Sequence, residues 1–244
     1  MIYNYSKLIF LLMIGIIFII NGCANIEKVH YSQLKFEKEK IKKICLISQI
    51  KVYQLTAGGI REYREDYTRQ AKKNIEKAIK IEIKEKLNSV VLLLPNSTAP
   101  DKEEILKELS ILYSYIQRGI YFNHFYKKQK VQKVIDSFNY PNLREFKDIF
   151  QEVGTNYFLF FWGVDNISTG GRIALQVATM LIASAVGVSV HPNMGISIMN
   201  VSLVNVDTGR LLWNVRLGAE GICDFRKYEN VKHNIHSLFD NLPN

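Results

Sequence analysis

Tyr157-Phe158-Leu159-Phe160-Phe161-Trp162-Gly163-Val164 is an unbroken apolar run. A run of this length without polar alternation suits a central strand covered on both faces. Downstream, Ile196 to Val206 again has strand character, Asp207-Thr208-Gly209 reads as a hairpin turn, and Leu211-Leu212-Trp213-Asn214-Val215 is the return strand. Upstream, a strand opens at Ile44-Cys45-Leu46-Ile47, continues through Ile50, Val52 and Tyr53, and stops at Thr56-Ala57-Gly58-Gly59. Val90 to Pro95 is a short buried strand.

Helical spacing fills the gaps. Between about Asp66 and Leu87, the residues Tyr67, Ala71, Ile75, Ile79, Ile83 and Leu87 form a four-residue row that marks one buried face. Lys72, Lys73, Glu76, Lys80 and Lys84 cover the other side. Asp101, with Glu104 three residues on, can cap a second helix whose inner face is Ile105, Leu109, Leu112, Tyr113 and Ile116. Tyr121 to Lys133 continues it with aromatics and lysines. After the break at Asn139-Tyr140-Pro141-Asn142, Leu143 to Val153 is a short helix. Asp224 can cap the last helix, which turns Tyr228, Val231, Ile235, Leu238, Phe239 and Leu242 inward. The order β-α-β-α-α-β-α-β-β-α predicts a single α/β or α+β domain over 44–244. Its sheet is mixed, ends in a late antiparallel hairpin, and has helices packed on it.

Arg172 to Val186 stands apart. It is apolar nearly all round, and only Arg172, Gln176 and Thr179 make a narrow polar stripe. Two readings are open. One is a buried helix of small residues packed on the sheet. The other is a face that meets a membrane or another subunit through Ile173, Leu175, Val177, Met180, Leu181 and Ile182.

The N-terminus has the three parts of an export signal: Met1 to Lys7, an apolar run from Leu8 to Ile20, and Ile20-Asn21-Gly22-Cys23. The apolar run is shorter than the roughly 20 residues a span needs. Ile20, Gly22 and Cys23 resemble the lipobox of bacterial lipoproteins, while Asn21 departs from the small or aliphatic residue usual there. The resemblance implies cleavage after Gly22 and lipid on Cys23. Ala24, where an Asp would retain the protein in the inner membrane, implies an outer-membrane anchor facing the periplasm. Residues 1–22 are then the signal peptide and 23–43 a polar tether rich in lysine.

The second half carries a further likeness. Gly154-Thr155-Asn156-Tyr157-Phe158-Leu159-Phe160, the strand and turn Val201 to Gly209, the aliphatic pair Leu211-Leu212 with Trp213, and a last helix ending at Leu242-Pro243 resemble lipoproteins of the TolB-N-terminal-like and CsgG-like group. Curli and Pel polysaccharide export lipoproteins belong to it. The resemblance implies a non-catalytic envelope protein that acts through protein contacts or self-association.

Chemistry is harder to find. His233 and His236 lie i,i+3 with Asp240 one turn on, a spacing that can bind metal, but no second cluster accompanies them. Asp207 sits in a D-T-G triplet that reads as a turn. No nucleophile elbow or phosphate-cradling glycine loop is present. No catalytic residue, cofactor or metal is therefore expected. The alternative is an envelope hydrolase acting on glycan or lipid, if folding brings together carboxylates such as Asp165, Glu220 and Asp224. Lys+Arg exceed Asp+Glu by 32 to 23, mostly as lysines on presumed helix faces, and an exported chain is not expected to meet nucleic acid. Cys45 and Cys223 are either a disulfide, which an oxidising periplasm permits, or two separate buried thiols.

Overall fold

The computed structural model describes residues 26–32, 38–93, 100–125, 154–188, 195–220, 223–240 and 242. In chain order they form β1 (Ile26–Ser32), a 3-10 turn (Lys38–Lys40), β2 (Lys43–Leu55), β3 (Arg61–Tyr63), α1 (Glu65–Leu87), β4 (Val90–Leu93), α2 (Pro100–Phe125), β5 (Tyr157–Ser168), α3 (Gly170–Ala185), β6 (Ile196–Asn205), β7 (Arg210–Glu220) and α4 (Tyr228–Phe239). The sheet has seven strands in the order β1-β7-β6-β5-β2-β3, with β4 also on β2. β2 runs parallel to β4 and β5, and every other pairing is antiparallel. This is the mixed α/β sheet with a late hairpin that the pattern predicted.

The sheet divides the core into two layers, and β5 shows why its apolar run is continuous. Leu159 and Phe161 point into the layer shared with α1 and α4, while Phe158 and Phe160 point to the layer under α2. Both parities are buried, so both must be apolar. On α1, the row Ala71, Ile75, Ile79, Ile83 and Leu87 is buried as its spacing required, with Tyr67 packed at its edge. The helix stops at Asn88, which takes a left-handed φ of 50° and returns its N–H to the Lys84 carbonyl. Asn74, buried in the same face, donates from Nδ2 to the carbonyls of Phe225 and Arg226 and so ties α1 to the turn before α4.

The late hairpin turns as read. Asn205 Oδ1 accepts the N–H groups of Asp207 and Thr208, and Gly209 takes φ 66°. A bulge then intervenes. Leu203 pairs with Trp213 and Val204 with Leu211, leaving Leu212 as the extra residue. Leu212 and Trp213 consequently both enter the α1/α4 layer, where the fully buried Trp213 ring meets Phe239 at 5.1 Å between centroids.

The structure departs from the sequence reading in several places. Residues 26–32, read as tether, form β1 and pair with β7 from Ile26↔Ala219 to Ser32↔Trp213. Their charge, which suggested a solvated linker, is equally what an edge strand carries. β5 runs on through Asp165 to Ser168, beyond the apolar run. Asp224 does not cap α4: the helix starts at Tyr228 after Lys227, and Asp224 instead binds Arg226 two residues on. The disulfide reading fails. Both cysteines are free and buried, with Cys45 in the α2 layer and Cys223 in the α1/α4 layer. The helix read over 143–153 and the lysine-rich stretch beyond residue 125 lie outside the described residues, as do the signal segment and Cys23.

Candidate functional site

Among the described helices, α3 is the one with no buried residue. Thr169, whose N–H donates to the Leu55 carbonyl at 2.9 Å, caps the helix by accepting the Arg172 N–H on Oγ1 at 3.2 Å. Arg172 Nη1 reaches the Thr56 carbonyl. These bonds fasten the start of α3 to the end of β2. The far end closes on Gly187 at φ 79°, with Val188 N–H donating to Ala183 and Gly187 N–H to Ser184, a glycine-terminated stop.

No residue of α3 is buried, so the reading of a helix packed inside the protein is overturned. Ile173, Val177 and Met180 are half-buried on the side toward the domain. Leu175 (54% exposed), Leu181 (55%) and Ile182 (69%) point outward, followed by Val186 (73%) and Val188 (53%). Leu175, Ala178, Ile182 and Val186 fall at helical spacing and make one apolar stripe. No charged residue occurs from Ile173 to Val188. None of the described helices is long and apolar enough to cross a membrane.

Under α2 the sheet changes character. Trp162, Asn200 and Arg216 stand directly opposite one another on β5, β6 and β7, and with Gln117, Arg118 and Tyr121 of α2 they line a cavity of about 380 Å³. The Arg216 guanidinium lies 3.7 Å over the Tyr121 ring. Gln117 Nε2 donates to Ser202 Oγ at 2.6 Å, and the buried Asn200 Oδ1 has no hydrogen-bond partner. This polar row escaped the sequence reading. Its signal was the alternation Asn200, Ser202 and Asn214, Arg216 within otherwise apolar strands.

A third feature is the groove of about 480 Å³ between α1 and α4, lined in part by Glu82, Glu229, His233 and His236. His236 Nδ1 is 2.9 Å from Glu82 Oε1 and its Nε2 3.5 Å from Asp240. His236 thus bridges the two helices. Among the described residues no group of three or more His, Cys, Asp or Glu side chains is arranged to hold a metal ion.

Of the carboxylates named from sequence, Asp165 and Asp224 come close enough for the Asp224 charge to act on Asp165. The Glu220 side chain lies outside the described residues. Asp165 is 1% exposed and Asp224 5%, and neither lines the cavities above. Burial pushes Asp165 up to about 7, against the opposing bonds from Phe225 N–H and Ser197 Oγ. For Asp224 burial acts upward too, but the Arg226 side chain and N–H outweigh it and hold the group below the usual carboxylate range. Asp207 is an exposed turn residue that accepts a bond from Asn156 Nδ2. Both cysteine thiols are pushed up to about 12 by burial.

No family model matches the chain. No curated protein matches it either. Among solved structures it is similar to a PelC dodecamer from Paraburkholderia phytofirmans, at 9% identity over 88% of this chain and 91% of that one, with a TM-score of 0.34. A dodecamer of a single-residue PelC variant from the same organism gives 8% identity, 88% and 92% coverage, and a TM-score of 0.33. A likeness at this level assigns nothing, and the functional reading rests on the chain's own residues.

Proposed function

We propose that the protein is a lipid-anchored component of a bacterial envelope, exported through residues 1–22, acylated at Cys23 and facing the periplasm from the outer membrane. It works by contact, with envelope proteins or with further copies of itself, and not by bond-breaking chemistry. The observation that carries the envelope placement in this reading is α3, an apolar face that needs a hydrophobic cover. Five large apolar side chains at 53–73% exposure on one uncharged segment are a surface that water covers poorly. Stable membrane retention then needs more than one hydrophobic signal, and a multiply acylated cysteine supplies it.

Metabolic labelling with a clickable fatty acid tests the anchor. The wild type is expected to take the label and Cys23→Ser to lose it. Equal labelling of both removes the lipoprotein reading. Photocrosslinking in intact cells from positions on the exposed side of the domain tests the contacts, and a protein that yields no crosslinked product from any of them is not an adaptor.

A further inference from the structure

The chain that enters the sheet and the helix that leaves it emerge at the same end. β1 begins at Ile26, opposite Ala219 near the end of β7. Ala219 faces Ser197 at the start of β6, and Ser197 faces Asp165 near the end of β5. α3 starts at Gly170, two residues after β5 ends at Ser168. Only Ala24 and Asn25 separate Cys23 from Ile26, so three fully extended residue steps place Cys23 no more than about 11 Å from the strand. β1 and β5 are three strand spacings apart, roughly 14 Å. A lipid on Cys23 and the apolar helix therefore leave one edge of the sheet within a helix length of each other.

We propose that α3 is a second membrane contact, lying along the bilayer surface beside the acylated Cys23 with Leu175, Ile182 and Val186 turned into the lipid. The proposal rests on the lipoprotein reading for the anchor and adds what occupies the exposed helix. Sixteen residues make a helix of about 24 Å, short of the roughly 30 Å hydrocarbon core, so α3 lies along the surface and does not cross it. A helix bathed in water carries charge on its outer face, and α3 carries none after Arg172. An interfacial helix sinks its apolar side about 5–10 Å into the headgroup boundary. Here the polar groups Arg172 and Gln176 are half-buried toward the domain, and exposed Thr179, beside the outward stripe, turns its hydroxyl back to the Leu175 carbonyl. An anchor at the same edge holds that stripe against lipid at high local concentration, and this favours lipid over a protein as its cover. With both contacts made, the sheet stands with its β5-exit end on the membrane. The turn at Asp207–Gly209, at the opposite end of β6 and β7, then points away from the bilayer.

The test uses the full chain with Ile182→Cys carrying a polarity-sensitive dye, since the native Cys45 and Cys223 are buried and an acylated Cys23 has no free thiol, with peptide mapping used to select protein labelled at position 182 alone. The protein is reconstituted into vesicles of phosphatidylethanolamine and phosphatidylglycerol, with and without brominated acyl chains. Bromine is expected to cut emission at position 182 by about half or more, and to leave a dye on Lys73→Cys, on the exposed side of α1, unchanged. Equal emission from 182 in both vesicles overturns the proposal. So does a spectral shift that follows protein concentration without quenching, because it assigns the helix to a second copy. Mass spectrometry of Cys23 in the same sample separates the two readings. An acylated but unquenched protein overturns the docking of α3 alone, whereas a quenched but unacylated one supports the docking and removes the anchor. A Leu175→Asp, Ile182→Asp double variant in the unacylated Cys23→Ser chain freed of residues 1–22 is expected to bind vesicles about tenfold less tightly or worse than its parent. Unchanged binding overturns the proposal, and the surface position of both residues lets the variant fold.

Discussion

Replacing Asp165 by Asn removes a buried charge while keeping every hydrogen bond around it. Phe225 N–H donates to Asp165 Oδ2 at 2.9 Å, and Ser197 Oγ lies 2.5 Å from Asp165 Oδ1 and 2.8 Å from the Cys223 carbonyl oxygen. Ser197 has one hydroxyl proton for two acceptors. If the carboxyl is ionised, that proton serves one of them and the other goes short. If the carboxyl is neutral, its O–H donates to Ser197 Oγ, Ser197 donates to Cys223, and the chain is complete. Burial decides for the neutral form against the bonds from Phe225 N–H and Ser197 Oγ, which favour the ion, and pushes Asp165 up to about 7 from 3.8. The sign follows. The folded state holds this proton more tightly than the unfolded state, so the contribution of Asp165 to stability falls as pH rises from about 4 to about 7 and stays flat above. Three pKa units correspond to about 4 kcal/mol at most. An asparagine in its place would donate from Nδ2 to Ser197 and accept Phe225 N–H on Oδ1, as the neutral acid does. Urea denaturation at about pH 5 and about pH 8 isolates the effect, because every other group titrates alike in both proteins. Asp165→Asn is expected to gain on the parent between the two pH values by about 2–3 kcal/mol, because the parent's penalty still grows over that interval. Parallel shifts of the two proteins between those pH values would falsify the argument.

Gly195 sits at φ 125°, and a Cβ there would come within 2.0 Å of the Asn166 carbonyl oxygen. Gly195→Ala is therefore expected to cost at least about 1–3 kcal/mol in urea unfolding, and a loss below about 0.5 kcal/mol would show that the turn into β6 tolerates a side chain. Cys45 and Cys223, both raised to about 12 by burial, should not react with an aromatic disulfide in the native protein yet both react once it is unfolded. Fast reaction of either in the native state, or a missing pair of thiols after unfolding without reductant, contradicts the separate-layer geometry.

How much was legible in the sequence depends on what each signal measures. Ala71, Ile75, Ile79, Ile83 and Leu87 announced both helix and buried face, because one helix face meeting one core leaves a period. Phe158 to Phe161 announced a strand covered twice. Asp207-Thr208-Gly209 announced a turn through a glycine able to take positive φ. β1 was missed because a charged edge strand and a polar linker have the same composition. α3 was found as a helix but left with two fates, since an apolar segment reads alike whether it is buried or waiting for a surface. The row Trp162, Asn200, Arg216 and the network of Asp165, Ser197 and Phe225 join residues on separate elements, which no spacing along the chain records.

The sequence alone determined the hairpin, the periodic faces and the order of most elements, though not β1 or β3, because these follow from backbone geometry and side-chain alternation over a few residues. Only the tertiary structure decided that Cys45 and Cys223 sit on opposite sides of the sheet, that Asp165 is enclosed and holds its proton up to about pH 7, and that Leu175, Leu181 and Ile182 remain outside. Those outcomes depend on which strand pairs with which, and strand pairing is a long-range choice that local hydrophobicity cannot encode.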